Sequence, residues 1–181
     1  MSKYKPSIFL FSTPFWHFRT EPYKDAITWA LEYEKNHPTN VQVSNVGGYQ
    51  SASSADYTEI PFFLEDAIKN SLLDELPPFV YGNWWLNVNR KGDFNITHTH
   101  PDAHSAVVYS ITDNQGSLIL LNPLNHSREF LSSQFGWNSE TYKVNALAGD
   151  ITVFPADVPH RVEPNYSDNP RISLAFNIRY I

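Results

Sequence analysis

The stretch WLNVNRKGDFNITHTHPDAHSAVVYSI, residues 85–111, decides how this chain is read. Short apolar or alternating runs are cut by the turn signal Lys91-Gly92-Asp93 and by Pro101, which predicts strands near 81–89, 94–100 and 105–112. Alternate residues of a strand share a face, so His98 and His100 point the same way. The same punctuation continues to the end of the chain. Further strands are expected near 117–121, 141–147, 151–154, 159–163 and 171–179. They are separated by Asp113-Asn114-Gln115-Gly116, Ala148-Gly149-Asp150 and Ser167-Asp168-Asn169-Pro170.

Towards the N-terminus the pattern changes. Residues 8–18 (IFLFSTPFWHF) read as a short apolar strand interrupted by Pro14. A helix is expected from near Thr20, with Pro22 in its first turn, to just before Pro38. Its apolar stripe is Tyr23, Ala26, Ile27, Ala30 and Leu31. Residues 39–57 are polar and Gly/Ser-rich, hence mostly loop. A second helix runs from about Pro61 to Leu76, with Leu64, Ile68, Leu72 and Leu76 on one face and Pro77-Pro78 at its end. Two helices before a run of short strands predict a mainly β fold. The expected form is a double-stranded β-helix of jelly-roll or cupin-like type, with both helices packed on one sheet. The 181 residues suit a single domain, 1–78 being the helical and loop part and 79–181 the β core.

Composition narrows the chemistry. There is no cysteine, which removes disulfides, zinc–thiolate sites and thiol nucleophiles together. Any metal must be held by nitrogen and oxygen. The net charge of −6 argues against a broad phosphate-binding surface, so no nucleic-acid partner is expected. Aromatic residues make up 15%, a high share that suits small β-rich cores and pockets. The N-terminal MSKYKPSIFLFSTPF lacks a signal-peptide h-region and cleavage site, and no apolar run reaches the ~18 residues of a membrane span. A soluble, cytoplasmic protein is the default expectation.

The histidines are concentrated where chemistry is possible. Of the seven, four fall at 98, 100, 104 and 160. His98, His100 and His160 form the expected metal set, because converging neutral imidazoles suit iron, zinc, nickel or copper. Gly92 lies six positions before His98; Gly149 lies six before Pro155, and His160 follows five later. This resembles the two-part cupin signature G-x5-H-x-H and G-x5-P-x-G-x2-H. Asp157 stands where that pattern has glycine, and His104 and Ser105 where it has its acidic ligand. A rival set is His100, Asp102 and His160, the two-histidine, one-carboxylate arrangement of non-haem iron oxygenases. Pro101 tends to end the strand at His100 and carry Asp102 out of register, which favours His98.

Eleven residues after His160, Arg171 opens RISLAFNIRYI. Arg171, Ser173, Ala175 and Asn177 share one face, and Ile172, Leu174, Phe176 and Ile178 the other. The apolar set must meet the helical layer or a second sheet. The polar set reads either as a solvent face or as the floor of a pocket in which Arg171 binds a carboxylate bidentately.

With these residues assembled, a family likeness is legible. The 85–111 stretch, GDITVFPADVPHRVEPN (149–165) and RISLAFNI (171–178) together resemble the 2-oxoglutarate–Fe(II) oxygenases. The likeness is to a small microbial and phage-associated group that reads W-x-N, H-x-H-P, F-P-x4-H and R-x-S-x3-N. SNVGGYQS at 44–51 resembles its N-terminal part, and Ser105-Ala106-Val107 departs mildly from its usual Ser-Gly-Val. The resemblance implies Fe(II) on His98 and His160, with His100 where better-known members have an acid. It implies 2-oxoglutarate as cosubstrate, its far carboxylate on Arg171, and a dioxygenase that hydroxylates an unactivated C–H bond using O2. Asn87 and Tyr109, eleven residues either side of His98, are spaced as cosubstrate contacts are in aspartyl/asparaginyl β-hydroxylases; a core aromatic is the alternative for Tyr109.

Two other functions stay open at this point: a cupin-type metalloenzyme without 2-oxoglutarate, and a metal-free jelly-roll binding module. Arg171 on an inward face separates the first reading from the cupin. One of Trp84 and Trp85 should pack in the core and the other at the pocket or its rim. Asp157 is either a turn residue or an outer partner of His160, and His104 a surface loop residue. Loops 39–57 and 122–140 are candidates to cover the opening. The substrate, a small molecule or peptide, and the oligomeric state are not legible.

Overall fold

The computed structural model describes residues 13–73, 75–113, 116–123 and 140–181. The expected run of strands is present: β4 (Phe79–Asn89), β5 (Phe94–His98), β6 (Ser105–Ser110), β7 (Leu118–Leu121), β8 (Thr141–Val144), β9 (Asp150–Pro155), β10 (His160–Val162) and β11 (Arg171–Tyr180). Before them come β1 (Trp16–Arg19), helix α1 (Ala26–Asn36), the two-residue strands β2 (Asn45–Val46) and β3 (Tyr49–Gln50), and helix α2 (Phe62–Leu73). The strands form two antiparallel sheets, ordered β1-β9-β6-β11-β4-β3 and β2-β5-β10-β7-β8. Facing each other, they make the double-stranded β-helix. Among the described residues no helix is long and apolar enough to cross a membrane.

The six-stranded sheet is apolar on its outer face, where both helices pack. Ile172, Leu174, Phe176 and Ile178 of β11 and Trp84, Leu86 and Val88 of β4 join Leu64, Ile68 and Leu72 of α2 in one buried cluster. Each such side chain contributes about 1.5–3 kcal/mol by leaving water. A smaller cluster, including Ala106, Leu118, Phe154 and Val162, closes the space between the sheets.

The N-terminal part departs from expectation in two ways. Helix α1 begins at Ala26, not near Thr20. Thr20 instead stays extended beside Gly149, its N–H and hydroxyl both donating to the Gly149 carbonyl. Gly149 has a φ of 88° and lies so close that a Cβ there would meet the backbone of Thr20 and Pro22. The stripe is also rotated: Ala26, Ala30 and Tyr33 are buried, whereas Ile27 and Leu31 are 46% and 38% exposed. Two alanines allow close approach to the sheet, and Tyr33 then packs on Trp84 with ring centroids 5.5 Å apart. Of the 8–18 segment, Trp16–Arg19 is strand, tied to β9 by Arg19 and His17 on the buried Asp150 carboxylate. Residues 8–12 lie outside the described residues, as does nearly all of the 122–140 loop. The 39–57 loop contains β2 and β3, which extend the two sheets at one edge.

Candidate metal centre and cosubstrate cavity

Strand pairing brings the three histidines together. His160 on β10 lies directly opposite His98 on β5. Their ring centroids are 4.2 Å apart, with His100 at 5.3 Å from His98 and 4.9 Å from His160. One ring nitrogen from each falls within 4.8 Å of the others. The β5–β10 ladder has an irregularity here: His98 and Asn95, three residues apart, pair with His160 and Val162, two apart. The extra residue on β5 re-aims the strand, as β-bulges do, so that Asn95 and His98 line the same cavity. His100 lies beyond the strand end, anchored by its N–H donating to the Ala156 carbonyl. Asp102 is exposed and outside the cluster.

The rings are oriented from behind. Nδ1 of His98 contacts the Ile96 carbonyl at 2.9 Å, and Nδ1 of His160 the Val158 carbonyl at 2.9 Å. A carbonyl only accepts, so both Nδ1 atoms carry the proton and each Nε2 keeps its lone pair. Nδ1 of His100 meets Asn177 Oδ1 at 2.8 Å. Burial lowers the basicity of all three rings, pushing His100 down to about 4 and His160 down to about 3. The imidazoles are therefore neutral at pH 7. Three neutral nitrogen donors with oriented rings fit a divalent transition ion such as Fe(II).

The cavity continues to Arg171, past Trp85, Asn87 and Ser173. Arg171 is 7% exposed, and its Nη1 donates to Ser173 Oγ at 3.1 Å. Burial lowers its basicity to about 10, which leaves it charged at neutral pH. Among the described residues no carboxylate forms an ion pair with it. An unpaired buried cation costs several kcal/mol, so a group held at this depth is suited to an anion arriving from outside. A narrow space beyond it, lined by the hydroxyl-bearing Ser110, Thr112 and Thr152, adjoins the same side chain. Asn87 lines the cavity 8% exposed, its carboxamide unpartnered among the described residues.

The remaining expectations are met in some places and not in others. Trp84 is fully buried with the helices, while Trp85 faces the cavity and meets His100 edge-on at 5.3 Å. Tyr109 is not at the cavity. Its neighbour Val108 lines that space, so by alternation Tyr109 faces the helical layer. There its hydroxyl accepts from the Tyr23 N–H. Asp157 is exposed, and the Val158 carbonyl takes the role considered for it. His104 is exposed, its Nδ1 accepting from the Tyr180 N–H. Ser44 and Asn95, bonded to each other at 3.1 Å, also line the cavity. The sequence carried no signal for them, because the first depends on the β2 edge and the second on the bulge.

Residues 83–177 match the model of a family described as "Putative 2OG-Fe(II) oxygenase". The match covers the histidines, the arginine and more than half of the chain: the protein belongs to this family of 2-oxoglutarate-dependent, non-haem iron oxidoreductases. Fe(II) and 2-oxoglutarate are the family's cofactor and cosubstrate. No curated protein matches. Among solved structures, the chain is similar to HygX from Streptomyces hygroscopicus with nickel, 2-oxoglutarate and hygromycin B bound, at 12% identity and a TM-score of 0.62 over 93% of this chain and 83% of that one. It is similar to the α-ketoglutarate-dependent carbocyclase SnoK of nogalamycin biosynthesis (12%, TM-score 0.65, 93% and 80% covered). A Pseudomonas putida prolyl-4-hydroxylase aligns at 15% identity, with a TM-score of 0.56 and 95% of both chains covered. At these identities the likeness is one of fold.

Proposed function

We propose that His98, His100 and His160 hold the Fe(II), that Arg171 anchors the distal carboxylate of 2-oxoglutarate, and that the protein hydroxylates a small-molecule or peptide substrate with O2. One observation carries the reading: three converging neutral imidazoles share a cavity with a buried guanidinium that has no carboxylate partner among the described residues. Ser173 presets the guanidinium through its hydroxyl. Asn87, without a side-chain partner among the described residues and lining the same cavity, offers a donor and an acceptor to the cosubstrate. When bound, Fe(II) and 2-oxoglutarate would activate O2, the oxidant: one oxygen atom would leave in succinate as CO2 is lost, and the other would enter the substrate as its hydroxyl. The chain's own part is to keep the imidazoles unprotonated, fix the cosubstrate and shape a pocket with restricted access to water. Trp85, at the wall beside His100, offers an aromatic surface on the substrate side. A small-molecule substrate is in keeping with the hygromycin B held by one fold neighbour.

The test is succinate release from purified protein given Fe(II), O2 and 2-oxoglutarate. A slow background without substrate is expected, stopped by chelation, by N-oxalylglycine and by His160→Ala. Metal and cosubstrate binding without any succinate, even with pooled candidate substrates, would leave a metal-dependent binding module in place of an enzyme.

A further inference from the structure

His100 differs from the other two histidines in what orients it. The partners of His98 and His160 are backbone carbonyls, which cannot donate. The partner of His100 is the Asn177 carboxamide, which presents an acceptor from one end and a donor from the other. With Oδ1 toward the ring, His100 carries its proton on Nδ1 and its lone pair on Nε2. With Nδ2 toward the ring, the tautomer reverses and Nε2 holds a hydrogen, which bars coordination. The orientation of the Asn177 carboxamide therefore sets the tautomer, and its other end meets the Asn83 side chain. Asn177 Nδ2 donates to Asn83 Oδ1 at 2.9 Å, which leaves Oδ1 for His100. The ladder is built around this contact. Phe176 and Ile178, two apart, pair with Trp84 and Tyr81, three apart, so β4 bulges opposite Asn177. Gly82 sits at that bulge, where a Cβ would stand 3.3 Å from the Asn177 Cβ and 3.2 Å from its carbonyl oxygen.

We infer that Asn177, braced by Asn83 across the β4 bulge, is the positioning residue that fixes the metal-binding tautomer of His100. This rests on the reading of His100 as a ligand. It assigns to the carboxamide pair the task that main-chain carbonyls perform for the other two rings. Asn177 touches no reacting atom; it acts through His100.

The experiment reads the tautomer directly in the metal-free protein, from long-range proton–nitrogen NMR correlations of nitrogen-15-labelled histidine at one neutral pH. In the unaltered chain all three rings should carry hydrogen on Nδ1. In Asn177→Ala, His100 should move largely to the Nε2–H form, while His98 and His160 keep theirs and so report an intact fold. Asn83→Ala, which leaves Asn177 in place without its brace, should give a mixture at His100. Asn177→Asp, an acceptor only, should restore Nδ1–H. Cobalt(II) titrations should follow: affinity about 10–100-fold weaker in Asn177→Ala, and at least that of the unaltered chain in Asn177→Asp. An unmoved His100 tautomer in both alanine variants overturns the inference, as does Asn177→Asp behaving like Asn177→Ala. His100→Ala separates the two levels: unchanged cobalt affinity there overturns the ligand reading itself, whereas weakened affinity with an unmoved tautomer overturns only the positioning role.

Discussion

Along β11, Ile172, Leu174, Phe176 and Ile178 are buried against the helices, while the residues between them serve the opposite side. Arg171, Ser173 and Ala175 line the cavity, and Asn177 meets His100. The partner strand β4 repeats the division, with Trp84, Leu86 and Val88 outward and Trp85 and Asn87 inward. One ladder thus carries two chemistries at period two. The outer face gains stability from apolar area. The inner face spends some of it on a buried cation and on an amide that has no side-chain partner among the described residues. Stability and ligand binding should therefore separate cleanly when adjacent residues are changed.

The largest effect is expected on the outer face. Phe176→Ala removes a 2%-exposed ring and should cost about 3–5 kcal/mol of stability, read from denaturant unfolding. The molecules that remain folded should bind metal with unaltered affinity. A cost under about 1 kcal/mol would mean that the helical layer does not pack on this face.

On the inner face, Arg171→Ala should spare metal binding and weaken 2-oxoglutarate binding by about 2–5 kcal/mol, the usual consequence of losing a buried charge-assisted pair. Calorimetric titration of nickel-loaded protein measures it. Arg171→Lys should recover part, since an ammonium lacks the guanidinium fork. Metal-free Arg171→Ala should be no less stable than the unaltered chain, because an uncompensated buried charge has gone. Undiminished cosubstrate binding would remove Arg171 from its proposed role.

The inner face should also make the metal-free protein sensitive to acid. Burial pushes His100 down to about 4 and His160 down to about 3, against ~6.5 for an unfolded imidazole. Below pH 6.5 the unfolded chain takes up protons that the folded chain refuses. Stability is then at its full value above about 6.5 and falls as pH drops toward 4 and 3, by up to about 1.4 kcal/mol per pH unit for each ring. Urea unfolding between pH 7 and 5 should show the slope, and His160→Gln should flatten it. An equal slope in that variant would place the titrating groups elsewhere.

How much of this was legible beforehand follows from the same periodicity. Strand alternation alone divided β11 into its two faces, and Gly92, Gly149 and Pro101 marked where ladders stop, so the histidines and Arg171 could be named. What alternation cannot register is a break in alternation. The bulge on β5 brings Asn95 round to His98, and the bulge on β4 sets Asn83 against Asn177. The first leaves no mark in residue type; the second leaves one, Gly82, which a reading by alternation passes over. Helix α1 misled for a different reason. Its larger aliphatic residues, Ile27 and Leu31, suggested the buried stripe, but close packing on a sheet rewarded Ala26 and Ala30.

Tyr109 gives the smallest predicted effect and the sharpest check on the faces, because its spacing from His98 pointed one way and its strand the other. On β6 it sits between Val108, which lines the cavity, and the inward-lying Ser110. A side chain between two inward residues must point outward, into the helical layer, where its ring is 1% exposed. The hydroxyl accepts from the Tyr23 N–H at 3.3 Å, just ahead of α1, and also bonds with the Thr20 side chain. Tyr109→Phe keeps the ring and removes only the hydroxyl with its contacts to Tyr23 and Thr20. It should cost about 0.5–1.5 kcal/mol. Protection of the Tyr23 amide against hydrogen exchange should fall with it, while 2-oxoglutarate affinity stays the same. A tenfold loss of cosubstrate affinity with unaltered stability would put the Tyr109 hydroxyl in the cavity, and the division of β6 into an inner and an outer face would have to be redrawn.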